Sequence, residues 1–215
     1  MIAGAAGGRR LRVPPGQGTR PTSDRAREGL FASLLSELGG HGGLRGLRVL
    51  DLYAGSGAVG LEALSRGAAH ALLVESDARA AAVARANAGA VGLPGAAVAA
   101  TSVTRLLSRP PDGGRYDLAF ADPPYALSGA AVTGVLSQLG AGWLSGGALV
   151  VVERATRSGP VDWPPGYAPA KSRRYGESSF WYGWYGRGTE PDQAGQPRAA
   201  VPGSSLDAPR RAHEE

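Results

Sequence analysis

From Leu47 onward, short apolar runs alternate with longer stretches in which apolar residues recur every three to four positions. The short runs predict strands and the periodic stretches predict helices. Strands are expected at about 47–52 (LRVLDL), 70–75 (HALLVE), 96–101, 116–121 (YDLAFA) and 148–153 (ALVVVE), with helices at about 57–66, 77–91, 103–108 and 129–139. This alternation is what a parallel sheet with crossover helices requires. Residues 167–174 and 178–186 predict two further strands around a turn at Gly176, an antiparallel pair for the edge of the sheet.

Upstream, Ala26, Leu30, Phe31, Leu34, Leu35 and Leu38 stand at helical spacing behind the capping candidates Thr22 and Ser23, and the pattern stops at Gly39 and Gly40. The residues before them read as a hairpin: a short strand, a turn at Gly7 and Gly8, a second strand around Arg10 to Val13, and a Pro/Gly loop to Pro21. Beyond about Arg187 the chain is rich in Pro, Gly, Ala and charge with few large apolar residues, which predicts disorder. The expected organisation is therefore a basic N-terminal hairpin arm (1–21), an α/β domain (22–187) and a disordered tail (188–215).

Composition narrows the chemistry. A chain of 215 residues suits one core, and with no cysteine it has no disulfide framework, thiolate metal site or cysteine nucleophile. No metal is expected. There is no stretch resembling a signal peptide or a membrane span, so a soluble, cytoplasmic, monomeric protein is expected. The formal net charge is +5, and residues 1–28 hold six arginines (Arg9, Arg10, Arg12, Arg20, Arg25 and Arg27) against Asp24 and Glu28. A positive arm of this kind suits an anionic partner, and these six are the candidate contacts to nucleic-acid phosphates.

The first sheet strand runs into Asp51-Leu-Tyr-Ala-Gly-Ser-Gly-Ala-Val-Gly60. Gly55, Gly57 and Gly60 let the backbone turn sharply and let a nucleotide-type ligand lie against the main chain, with Ala54 and Ser56 completing the loop. Glu75, twenty residues after Gly55 at the end of the next strand, can accept hydrogen bonds from two ribose hydroxyls. Both NAD and S-adenosylmethionine fit that far. Asp51 discriminates between them: a dinucleotide would bring its pyrophosphate close to this carboxylate, whereas S-adenosylmethionine offers a sulfonium and an ammonium that a carboxylate favours. A purely structural role for Asp51, capping amides of the loop, is compatible with either cofactor.

The fourth sheet strand ends in Asp122-Pro123-Pro124-Tyr125. In open α/β sheets ligands bind beyond the carboxyl ends of the strands, so this tetrapeptide and the glycine loop should face one cleft. The exocyclic amino group of a base is a poor nucleophile because its lone pair is delocalised into the ring. The Asp122 carboxylate and the Pro123 carbonyl, gripping its two N–H bonds, would favour a pyramidal nitrogen aimed at a sulfonium methyl, with catalysis by positioning and electrostatics. The prolines fix the backbone that presents these acceptors, and Tyr125 supplies a face for an unpaired base. Methylation at C5 of a pyrimidine ring normally needs a thiolate, which a chain without cysteine lacks, so the acceptor should be nitrogen.

With these residues in place, the chain resembles the RsmD family of bacterial 16S rRNA guanine-N2 methyltransferases. The resemblance runs through IAGAAGGRRLRVP, RPTSDRAREGLF, DLYAGSGAVGLEALSRGA, VESD, FADPPY and the closing aromatic strand, over about residues 1–186. It implies the class I S-adenosylmethionine-dependent methyltransferase fold, Rossmann-like, with a seven-stranded sheet that is mixed because of its last strand. It also implies guanine N2 as acceptor and 16S rRNA or a small-subunit assembly particle as partner. Ser102 would stand at the cofactor's adenine, where the family tends to carry Asn or Asp. The tail after Arg187 has no counterpart in the family pattern.

Four other readings compete. DNA adenine and protein glutamine methyltransferases use a related tetrapeptide, but the latter typically begin it with Asn, and the former usually carry a recognition domain beyond this length. An NAD-dependent oxidoreductase is opposed by Asp51. A non-catalytic RNA-binding protein would be expected to have lost the glycine loop or the tetrapeptide, and both are intact.

Overall fold

The computed structural model describes residues 1–14, 24–39 and 43–187. Its strands are β1 (Arg48–Leu52), β2 (His70–Glu75), β3 (Ala96–Ala100), β4 (Tyr116–Ala121), β5 (Leu144–Ala155), β6 (Tyr167–Tyr175) and β7 (Ser178–Tyr185). They form one sheet in the order β3-β2-β1-β4-β5-β7-β6. The first five are mutually parallel, and β7 is the one reversed strand, antiparallel to both β5 and β6. The chain winds outward from β1 to β3 and then returns to lay β4 on the other side of β1. The carboxyl ends of β1 and β4 thus flank the point where the winding reverses, where such sheets leave a crevice.

Helices cover both faces. On one side lie α1 (Asp24–Glu37), α2 (Ala58–Ser65) and α3 (Ala78–Val91), and on the other α4 (Val103–Leu107) and α5 (Gly129–Gly142). Burial on both faces explains why the central strands read as near-continuous apolar runs. Alternation sorts their side chains: Val49, Leu73, Phe120 and Val151 pack toward α1–α3, while Leu50, Val74, Ala121 and Val152 pack toward α4 and α5. Continued by one period, the same rule brings Asp51, Glu75, Asp122 and Glu153 to the α1–α3 side of the sheet at its carboxyl edge. The strand period thus gathers four carboxylates beside the crevice.

The amino terminus departs from expectation. No hairpin strands form in residues 1–14; Gly4–Ala6 is a 3₁₀ turn and the following residues run along α2 and α3. The physical reason is that helix side chains satisfy the backbone groups a hairpin would have paired. Ile2 and Ala3 donate their amide hydrogens to the Glu62 carboxylate (2.8 and 3.0 Å), and Ala6 donates to Ser65 Oγ (2.9 Å). Arg12 donates to Asn87 Oδ1 (2.8 Å), and the Asn87 amide returns a bond to the Arg12 carbonyl (3.0 Å). Strand β5 also begins earlier than expected, because Leu144 already pairs with Tyr116 across an irregularity in β4. The expected caps Thr22 and Ser23, Arg20, the stop at Gly40 and the tail 188–215 lie outside the described residues.

Candidate active site

The glycine loop is held by carboxylates from two strands. Tyr53, at φ 61, takes the left-handed conformation just after β1, a strained choice for an aromatic residue. The chain then turns so that Ala54 donates to the Val74 carbonyl (2.9 Å) and Gly55 donates to Glu75 Oε2 (2.8 Å). Glu75 Oε1 accepts the Asp77 amide (2.8 Å), so each carboxylate oxygen holds one backbone hydrogen and keeps acceptor capacity for a ligand. Asp51 Oδ2 accepts the Gly60 amide (2.9 Å) in the first turn of α2. Gly57 caps that helix at φ 80, and a β-carbon on Gly60 would stand 2.2 Å from Leu73 Cδ2. Glycine at these two positions therefore serves helix entry and close packing of α2 on β2.

Across the crevice, β4 delivers the tetrapeptide. The Asp122 amide reaches back to the Leu52 carbonyl at 3.4 Å, Pro123 is buried, and Pro124 accepts the Leu127 amide at 2.8 Å. Tyr125 is exposed. Asp51, Ala54, Gly55, Ser56, Glu75 and the four tetrapeptide residues all line one cleft of about 300 Å³. The structure thus brings the glycine loop and the tetrapeptide into a single site.

Its electrostatics are unusual. Burial, opposed by the Gly60 amide and reinforced by the charge of Glu75, pushes the Asp51 carboxyl up to about 7. Burial, then the charges of Glu153 and Asp51, holds Asp122 well above the ordinary carboxylate range. Carboxylates crowded in this way favour a cationic ligand and disfavour a phosphate.

Not every expected site residue joins the cleft. Ser102 caps α4, accepting the Arg105 amide at 3.2 Å, and does not line the cleft. Arg9 donates through Nη1 to the carbonyls of Ala90 and Val91 (3.0 and 2.6 Å), where a cation suits the carboxyl end of α3. Arg27 is buried and lines the cleft, whereas Arg10, Arg12 and Arg25 are exposed. Val13, Pro14 and Phe120 also line the cleft, without being expected there from the sequence. Phe120 could have been found, because it stands one strand period before Asp122; the other two depend on where helix side chains pin the arm.

Residues 1–184 match the family described as conserved hypothetical protein 95. The chain is 35% identical over 167 residues to ribosomal RNA small subunit methyltransferase D of Escherichia coli K12, covering 76% of this chain and 80% of that one. It is 31% identical over 182 residues to the Haemophilus influenzae protein of the same name, covering 84% and 90%. The solved structure of the Escherichia coli YhhF protein superposes with a TM-score of 0.73 at 30% identity, covering 86% of this chain and 96% of that chain.

Proposed function

The chain belongs to the RsmD methyltransferase family, described as conserved hypothetical protein 95, and on that premise we propose that it transfers a methyl group from S-adenosylmethionine to the exocyclic N2 of a guanine in 16S rRNA. The observation that carries this reading is the convergence of the glycine loop, buried carboxylates and the Asp-Pro-Pro-Tyr segment in one cleft. The residues present fit the cofactor. Asp51, whose carboxyl is pushed up to about 7 by burial and by Glu75, suits a sulfonium and an ammonium, and Glu75 keeps acceptor capacity for ribose hydroxyls. The cofactor supplies an activated methyl group.

The chain's own part is positioning and proton handling. The Asp122 carboxylate and the Pro123 carbonyl accept the two N–H bonds of the amino group and orient its lone pair. A lone pair held in that direction would accept the methyl group that the cofactor supplies. The amino nitrogen then loses a proton, and Asp122 is suited to take it because its surroundings raise its proton affinity. Tyr125 stacks on the base, and the exposed Arg10, Arg12 and Arg25 contact RNA phosphates.

The test is transfer from methyl-labelled S-adenosylmethionine by the purified protein to unmodified 16S rRNA and to small-subunit particles lacking the modification. Label recovered as N2-methylguanosine is expected from one of the two substrates. Label in another nucleoside, or in neither substrate, would contradict the proposal.

A further inference from the structure

Among the described residues only two large apolar side chains are exposed, Val13 at 61% and Tyr125 at 56%, and both line the cleft. A lone exposed valine needs no explanation. This one stands in a setting built to hold it. Immediately before it, the backbone of Arg12 is gripped at both its amide and its carbonyl by Asn87, whose side chain is 1% exposed. The remaining amide hydrogen of Asn87 goes to the Ser56 carbonyl (2.9 Å), tying the arm to the glycine loop through α3. Immediately after it, Pro14 is buried in the cleft wall and restricts Val13 to extended backbone. Leu11 packs on the core. Anchored on both sides, Val13 is a fixed apolar surface offered to the cleft.

We infer that Val13 is a substrate-positioning residue: the acceptor base lies between the Tyr125 ring and the branched methyl groups of Val13, so that the N-terminal segment forms one jaw of the target pocket. A flat base has two apolar faces, and the two exposed apolar side chains of the described residues supply one for each. The arm then contributes to base capture directly, beyond the phosphate contacts of its arginines. This inference rests on the proposed function and adds the second wall of its acceptor site.

The test uses the full-length protein and the RNA or particle that the wild type methylates. Val13→Ser, at an exposed position, should keep the wild-type melting temperature and the wild-type affinity for S-adenosylmethionine. It should raise KM for RNA, and the dissociation constant for RNA measured without cofactor, by about five- to tenfold through lost apolar contact. Val13→Ile should restore both. Asn87→Ala should raise KM for RNA as well, and it should also weaken cofactor binding because Ser56 loses its tie. If Val13→Ser leaves both RNA parameters unchanged, or weakens cofactor binding while RNA parameters hold, the inference is overturned while the proposed function stands. If the wild type itself methylates no RNA, both fall together.

Discussion

Asp51 accepts the amide hydrogen of Gly60 at 2.9 Å, so one carboxylate near the end of β1 both holds the first turn of α2 and lies buried in the wall of the cleft. The structural and the electrostatic roles of Asp51 are thus carried by the same group. Asp51→Asn separates them, because an amide oxygen can still accept the Gly60 hydrogen while the charge is lost. With its carboxyl at about 7 in the folded protein and near 4 when unfolded, Asp51 favours the folded state at low pH. That contribution is fully present below about pH 4 and lost as pH rises through about 7. Melting of the cofactor-free protein between pH 5 and 8 should therefore fall more steeply with pH for the wild type than for Asp51→Asn.

A cationic ligand reverses the balance by favouring ionised Asp51. Affinity for S-adenosylmethionine should rise with pH up to about 7 and then level off, with proton release on binding below that point. Calorimetry in buffers of different ionisation enthalpy measures the release. In Asp51→Asn the rise attributable to this group should vanish, and a profile unchanged from wild type would mean that Asp51 does not sense the cofactor's charge.

Glu75 is fixed by two backbone hydrogens, from Gly55 and Asp77. In Glu75→Gln one of the two amides must lose its acceptor, since the side-chain NH₂ cannot accept. A loss of about 1–3 kcal/mol in stability is expected, together with cofactor affinity weakened by at least tenfold. Denaturant unfolding and calorimetric titration check the two halves. A variant that loses stability but binds S-adenosylmethionine normally would confine Glu75 to holding the loop.

Asp122 is assigned to the amino group of the acceptor, and among the described residues the carboxylate hydrogen bonds to the glycine loop come from Asp51 and Glu75. Asp122→Ala should reduce methyl transfer by at least a thousandfold, while S-adenosylmethionine affinity stays within about threefold, both effects following from loss of a group aimed at the transition state. Single-turnover rates and titration are the measurements. Transfer at the wild-type rate would remove Asp122 from the reaction.

The arginines of the amino-terminal segment divide by geometry. Arg9 is committed to the carbonyls of Ala90 and Val91, whereas Arg10 and Arg12 are exposed. Replacing Arg10 and Arg12 with Gln should flatten the dependence of log affinity on log salt by about 1.4 to 1.8, for two lost phosphate contacts. Arg9→Gln should instead lower stability by about 0.3–1 kcal/mol through the lost cation at a helix carboxyl end. An unchanged salt slope in the double variant would place the RNA surface elsewhere.

The strands and helices of the sheet were legible because apolar runs such as LRVLDL and YDLAFA are short and bounded, while the helices repeat at 3.6 residues. Asp51, Glu75 and Asp122 were legible because each stands at or beside the carboxyl end of such a run. The amino-terminal segment was not, since its conformation is decided by partners about sixty to eighty residues away. Glu62 and Asn87, polar residues buried in α2 and α3, take up its backbone groups, and the sequence gives no local sign of which amides they will choose. The place of Arg27 was hidden for a related reason: its charge is visible in the sequence, whereas its position in the cleft wall follows from how α1 packs.

The central claim is tested most directly by nucleoside mass spectrometry of 16S rRNA from the source cell with and without a functional copy of this chain. One N2-methylguanosine should disappear on deletion, return with the wild-type chain, and stay absent when Asp122→Ala is supplied at equal abundance. An rRNA whose N2-methylguanosine content is the same in all four strains would contradict the account.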